Sequence, residues 1–89
     1  MTGPANPSYR VLSERVEVIA VFEEGRLNPI RFRWNGQSYR IARITGRWKS
    51  PKGDQAIRHF AVVDTSDNVF QLSYDERLTQ WTLSKVWVE

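Results

Sequence analysis

Few side chains in this chain could carry covalent chemistry. Its one histidine, His59, lies in an apolar run beside Phe60. A zinc site or a general base needs partners, and the sequence has no cysteine and no second histidine. His59 is therefore expected to be structural or merely exposed. Asp75-Glu76 comes nearest to a paired-carboxylate site, but neighbours in a strand point to opposite faces. No glycine-rich pattern able to cradle a nucleotide phosphate occurs. The sequence predicts no catalytic residue, no metal and no cofactor; it does not predict an enzyme.

Binding chemistry is better represented. Between residues 25 and 53 the chain has Arg26, Arg31, Arg33, Arg40, Arg43, Arg47, Lys49 and Lys52 and no carboxylate. That segment is formally +8 and the remainder −5, giving the net +3. A one-sided field attracts polyanions. Six of the eight cations are arginines, whose planar fork suits phosphate. Two outcomes are open. The charges could meet a ligand, or carboxylates of neighbouring strands (Glu14, Glu17, Glu23, Asp64, Asp75, Glu76) could neutralise them. Glu17 is the best placed if the first strand pairs with the second. On the ligand side the expected nucleic-acid contacts are Arg31, Arg33, Arg40, Arg43, Arg47 and Lys49 to phosphates. Trp48 would stack on an unpaired base if exposed, and would anchor the core if buried. Trp87 and Val88 close the chain in an alternating apolar run. They could instead form a patch for a protein partner, as could an open strand edge.

The elements that must position these residues read as strands. Val16, Val18, Ala20 and Phe22 alternate with Arg15, Glu17, Ile19 and Val21. Ile30, Phe32 and Trp34 alternate with Arg31 and Arg33 up to Asn35-Gly36, a strong signal for a two-residue hairpin turn. The turn sets a register of Trp34 with Gln37, Phe32 with Tyr39, Arg31 with Arg40 and Ile30 with Ile41. After Ile41 the apolar phase slips, so a bulge is expected near Ala42-Arg43. With that one bulge, Arg40, Arg43, Arg47 and Lys49 share an outer face. Further strands are predicted over 57–65, 70–75 and 81–88, with a second slip near Ser84-Lys85. No 3.6-residue period is present. The expectation is an all-β fold of about six antiparallel strands in a meander, bulged and curled into a small barrel or strongly twisted sheet. Residues 1–13 are expected to be a poorly ordered N-terminal tail and 14–89 a single β domain.

Three motif groups support a resemblance. They are Phe32-Arg33-Trp34-Asn35-Gly36-Gln37-Ser38-Tyr39-Arg40-Ile41, Gly46-Arg47-Trp48, and Phe70-Gln71-Leu72-Ser73-Tyr74-Asp75 followed by Trp81-Thr82-Leu83 and Val86-Trp87-Val88. This pattern is similar to that of an uncharacterised family of small bacterial all-β domains found near, or attached to, Y-family translesion polymerase-like proteins. It spans Glu14 to Val88, and its motifs are mostly a turn and core aromatics. The family brings no established catalytic residues. The resemblance implies a DNA-related role by association and, as a partner, a DNA-repair or polymerase-related protein.

These observations point to a non-enzymatic binding module with DNA or RNA as favoured ligand. The alternative is a protein–protein interaction module. The absence of cysteine, of a signal-like N-terminal apolar stretch and of any long apolar run suggests a cytoplasmic, bacterial protein without a membrane partner. The sequence leaves oligomeric state open.

Overall fold

The computed structural model describes residues 8–53 and 55–88. Six strands follow one another: β1 (Ser8–Glu23), β2 (Arg26–Trp34), β3 (Gln37–Lys52), β4 (Gln55–Asp64), β5 (Val69–Asp75) and β6 (Gln80–Val88). Each pairs antiparallel with the next, and β6 returns to β1, so the meander closes into a ring. Tight turns explain why the meander is so regular. Asn35 and Gly36 have φ of 52° and 77°, and Glu24 and Gly25 repeat the same pair of values. Both loops thus use the left-handed conformation that a two-residue hairpin requires. The buried Asp64 carboxylate holds the next turn. Its Oδ1 accepts from the backbone N–H of Ser66 and Asn68, and its Oδ2 accepts from Asn68 Nδ2. Asp75 acts similarly, accepting from the N–H of Arg77 and Leu78.

The ring is uneven. The β2–β3 ladder runs only from Trp34–Gln37 to Arg31–Arg40, whereas β3 pairs with β4 from Ile41 to Lys52. Beyond Arg40 the two strands fork apart. The expected Ile30–Ile41 pair does not form; Ile41 is paired only on its other side, with Asp64 of β4. The cause is a bulge in β2. Ile19 pairs with Arg31 but Ala20 pairs with Pro29, which leaves Ile30 as the extra residue. Ile30 is accordingly 43% exposed rather than in the core. Pro29 is buried at this break, where its missing N–H costs no ladder bond to β3.

The phase slip at Ala42 is present as expected, and so is the one at Ser84. A further slip lies at Thr45, between the Ile44–Val62 and Gly46–Ala61 pairs. Each bulge inverts which alternate residues face inward. β1 also begins earlier than the sequence suggests. Ser8 to Val11, assigned above to the tail, pair with Val88 to Lys85 of β6. Main-chain pairing to a closing strand holds a segment that has too little apolar periodicity to announce itself.

Inside the ring, Leu27, Phe32, Phe60, Val62, Phe70, Leu72 and Leu83 form the buried core. Phe32 stacks on Tyr39 at 5.0 Å and meets Phe70 edge-on at 5.0 Å. Trp81 packs between Phe60 and Tyr74. Burying each such side chain stabilises by about 1.5–3 kcal/mol. Phe22, which alternates in step with Val16, Val18 and Ala20, is 70% exposed because it sits beside the Glu24-Gly25 turn at the rim. Among the described residues no helix is long and apolar enough to cross a membrane.

Candidate functional site

The register of β2 with β3 puts Arg31 directly beside Arg40, and Arg33 beside Ser38. All three arginines are exposed on the outside of the ring. The bulge at Ala42 brings Arg43, paired with Val63, onto the same outer side. The next outward positions of β3 are Gly46 and Trp48. Trp48 is 43% exposed. Its ring leans back over Gly46, where an added Cβ would meet it at 3.5 Å, and stacks on His59 at 5.4 Å between centroids. The outer faces of β2 and β3 thus offer four guanidinium groups, Arg31 and Arg33 from β2 and Arg40 and Arg43 from β3, and β3 continues past them with a bare glycine and an indole. From Ser38 to Trp48 this stretch of β3 is roughly 30 Å long at about 3.3 Å per residue.

Among the described residues no carboxylate forms an ion pair with this row. Glu17 faces Arg33 across β1–β2, yet among the described residues no ion pair forms at Arg31, Arg33, Arg40 or Arg43. Glu14, another of the expected partners, accepts a hydrogen bond from Trp34 Nε1 at 2.9 Å. Glu76 pairs with Arg58. Asp64 and Asp75 hold turns.

Arg47 and Lys49 leave the expected outer face. The second bulge, at Thr45, inverts the alternation, so Arg47 pairs with inward-facing Phe60 and Lys49 with Arg58. The Arg47 guanidinium lies 5.7 Å from the centre of the Phe60 ring. It then spans the fork, donating to the Leu27 carbonyl at 2.8 Å and to Asn28 Oδ1 at 2.5 Å. This side chain supplies the β2–β3 link that the backbone ladder lacks. Burial first, and then the charge of Arg26, lower the Arg47 pKa from its ordinary value. Arg26, Arg47, Lys49 and Arg58 line one cleft in the fork, with Gly25, Leu27, Phe60 and the Trp48–His59 pair completing its wall. Lys49 and Arg58 are neighbours through the unbroken hairpin register that ends at Lys52–Gln55, but the Thr45 bulge, which leaves no mark in the sequence, decides that Arg47 and Lys49 turn away from the outer row.

His59 sits in a polar chain on the outer face of β3–β6. One ring nitrogen, Nε2, is 2.7 Å from Ser50 Oγ, and Nδ1 is 2.8 Å from Ser73 Oγ. Ser73 Oγ continues to Ser84 Oγ at 2.7 Å, and Ser84 Oγ donates to the Gln71 carbonyl at 3.1 Å. Ser73 and Gln71 are buried, so the chain satisfies polar groups that would otherwise be costly. Burial, and secondarily Lys85, lower the His59 pKa. A neutral imidazole can donate at one nitrogen and accept at the other, which suits two serine hydroxyls. Among the described residues no group of three potential metal ligands exists.

Trp87 is half-buried and tilts against Tyr9 at 5.3 Å across the β1–β6 pair. The Lys85 ammonium sits 4.8 Å from the centre of the Tyr9 ring. Tyr9 and Val11 remain exposed beside Trp87, while the side chain of Val88 lies outside the described part of the structure. Closure of the ring removes the open outer edge proposed for strand addition, except along the fork. Comparisons with protein-family models, with curated proteins and with solved structures found no match.

Proposed function

We propose that this domain is a non-enzymatic binding module whose ligand is single-stranded nucleic acid, carried along the outer faces of β2 and β3. The observation behind this is the row of Arg31, Arg33, Arg40 and Arg43, four exposed guanidinium groups with no carboxylate partner among the described residues, ending at exposed Trp48. Like charges directly opposite, as at Arg31 and Arg40, destabilise a strand pair by a few tenths of a kcal/mol or about that order. A polyanion lying across them reverses the sign of that term. Neighbouring strands are about 4.8 Å apart and alternate residues about 6.7 Å apart, so successive phosphates can each find a guanidinium. Trp48 offers a base the π-surface that sequence-tolerant single-strand binders use. Arg47 and Lys49 face away from this track, and Arg47 bridges the fork. The test is fluorescence anisotropy with single- and double-stranded DNA at low and moderate salt. Salt-dependent binding that weakens in Arg31→Gln/Arg40→Gln supports the proposal, and no binding at low salt removes it.

A second use of the domain, as a protein-interaction module, draws on the exposed Tyr9 and Val11 beside Trp87. The family resemblance suggests a DNA-repair or polymerase-related partner. A concentration-dependent dimer, or a captured partner lost in Trp87→Ala, supports this use. A monomer at all concentrations with unchanged capture in Trp87→Ala argues against it.

A further inference from the structure

The cleft in the β2–β3 fork gathers a second set of cations apart from the outer row. Arg26, Arg47, Lys49 and Arg58 line an opening of about 280 Å³. Lys49 and Arg58 stand directly opposite each other on β3 and β4. Glu76 pairs with Arg58, and among the described residues no ion pair forms at Arg26, Arg47 or Lys49, although Glu23 stands opposite Arg26 in the β1–β2 register. Arg47 is held in place by Leu27 and Asn28. Two of its five N–H donors are engaged there, leaving three to face a ligand. Such a fixed guanidinium loses little freedom on binding, which is the condition for a specific anion site. Leu27 and Phe60, both contacted by Arg47, give the cleft its apolar lining, and Trp48 belongs both to this lining and to the end of the outer row.

We propose that the cleft receives the terminal phosphate monoester of a nucleic-acid strand whose interior lies along the outer faces of β2 and β3. The reasoning is one of charge. An internal phosphodiester carries a single negative charge. A monoester carries about −1.5 to −2 at neutral pH and presents three acceptor oxygens. Three cations around one opening that form no ion pair among the described residues match the end of a strand better than its interior. The shared Trp48 links the two surfaces, since a base stacked there places the adjoining phosphate beside Lys49. This inference rests on the nucleic-acid reading of the outer row and adds to it a preference for phosphorylated ends.

The experiment compares oligothymidines of about twelve nucleotides, within the span of small single-strand binders. They carry a 5′-phosphate, a 3′-phosphate or hydroxyls at both ends, and binding is followed by anisotropy. One phosphorylated end should bind about tenfold tighter than the hydroxyl-ended strand, the effect of one added charge-assisted contact. Arg26→Gln/Lys49→Gln should abolish that ratio while changing hydroxyl-ended binding by less than about threefold, since internal phosphates stay on the outer row. Neither side chain has a hydrogen-bond or ion-pair role in the fold, and a thermal melt verifies that the variant is folded. Equal affinity for all three ends, with binding retained, overturns the cleft assignment and leaves the outer row standing. A phosphate preference that survives the double variant also overturns it. No binding of any oligonucleotide overturns both proposals together.

Discussion

Replacing Arg47 with methionine separates a strut from a ligand contact. The aliphatic part of the side chain is kept, and the guanidinium is lost. Three interactions go with it: the bond to the Leu27 carbonyl at 2.8 Å, the bond to Asn28 Oδ1 and the contact over Phe60. Leu27 is buried, so its carbonyl loses a charged donor where water has poor access. A hydrogen bond to a charged group contributes about 1.5–3 kcal/mol, and the solvent around this largely exposed side chain argues for the lower end. The partly exposed cation–π contact adds about 0.5 kcal/mol. Relief of repulsion from Arg26 offsets a little of this. The net expectation is a loss of about 2 kcal/mol, or roughly 8–16 °C in Tm for a domain of this size. Scanning calorimetry and urea unfolding measure it directly. A Tm within about 2 °C of the parent would refute the strut, because the remaining four rows of β2–β3 pairing would then hold the fork unaided.

Other consequences concern the turns and the buried polar chain. Asp64→Ala leaves the N–H groups of Ser66 and Asn68 without their acceptor and should cost about 1–3 kcal/mol; an unchanged urea midpoint would contradict this role. Gly36→Ala forces a Cβ into φ of 77° and should cost about 1 kcal/mol by urea unfolding, although nothing lies within 4 Å of the new atom. His59 has a folded pKa below its ordinary 6.5, so the unfolded chain takes up a proton first as pH falls. Stability should therefore be full above pH 6.5 and decline as pH drops through the window between that value and the lower folded pKa. His59→Gln should flatten that part of the Tm–pH curve, and a slope that persists unchanged in the variant would assign it to other groups.

The hairpin, the strand count and two bulges are legible in the sequence because each leaves a local mark. Asn35-Gly36 fixes its own register, and the odd-to-even shift between Ile41 and Ile44 signals the residue extruded at Ala42. The Thr45 bulge leaves no such mark. Gly46 has no side chain to reveal a phase, and Trp48 is apolar on an outward position, so Arg47 and Lys49 look continuous with Arg40 and Arg43. Ile30 misleads for the related reason that an apolar residue at a bulge imitates a core position. The serine chain around His59 depends on the alignment of four strands, and the cleft on three. Neither exists until those strands are aligned.

The most direct test of the central claim is the salt dependence of single-stranded DNA binding. Contacts from Arg31, Arg33, Arg40 and Arg43 to four phosphates give a log–log slope of about −3, or a loss of about 50-fold between 50 and 200 mM salt. Arg31→Gln/Arg40→Gln should halve that slope to about −1.4 with the fold intact. A parent protein that binds with no salt dependence, or a double variant with the parent's slope, would contradict the account.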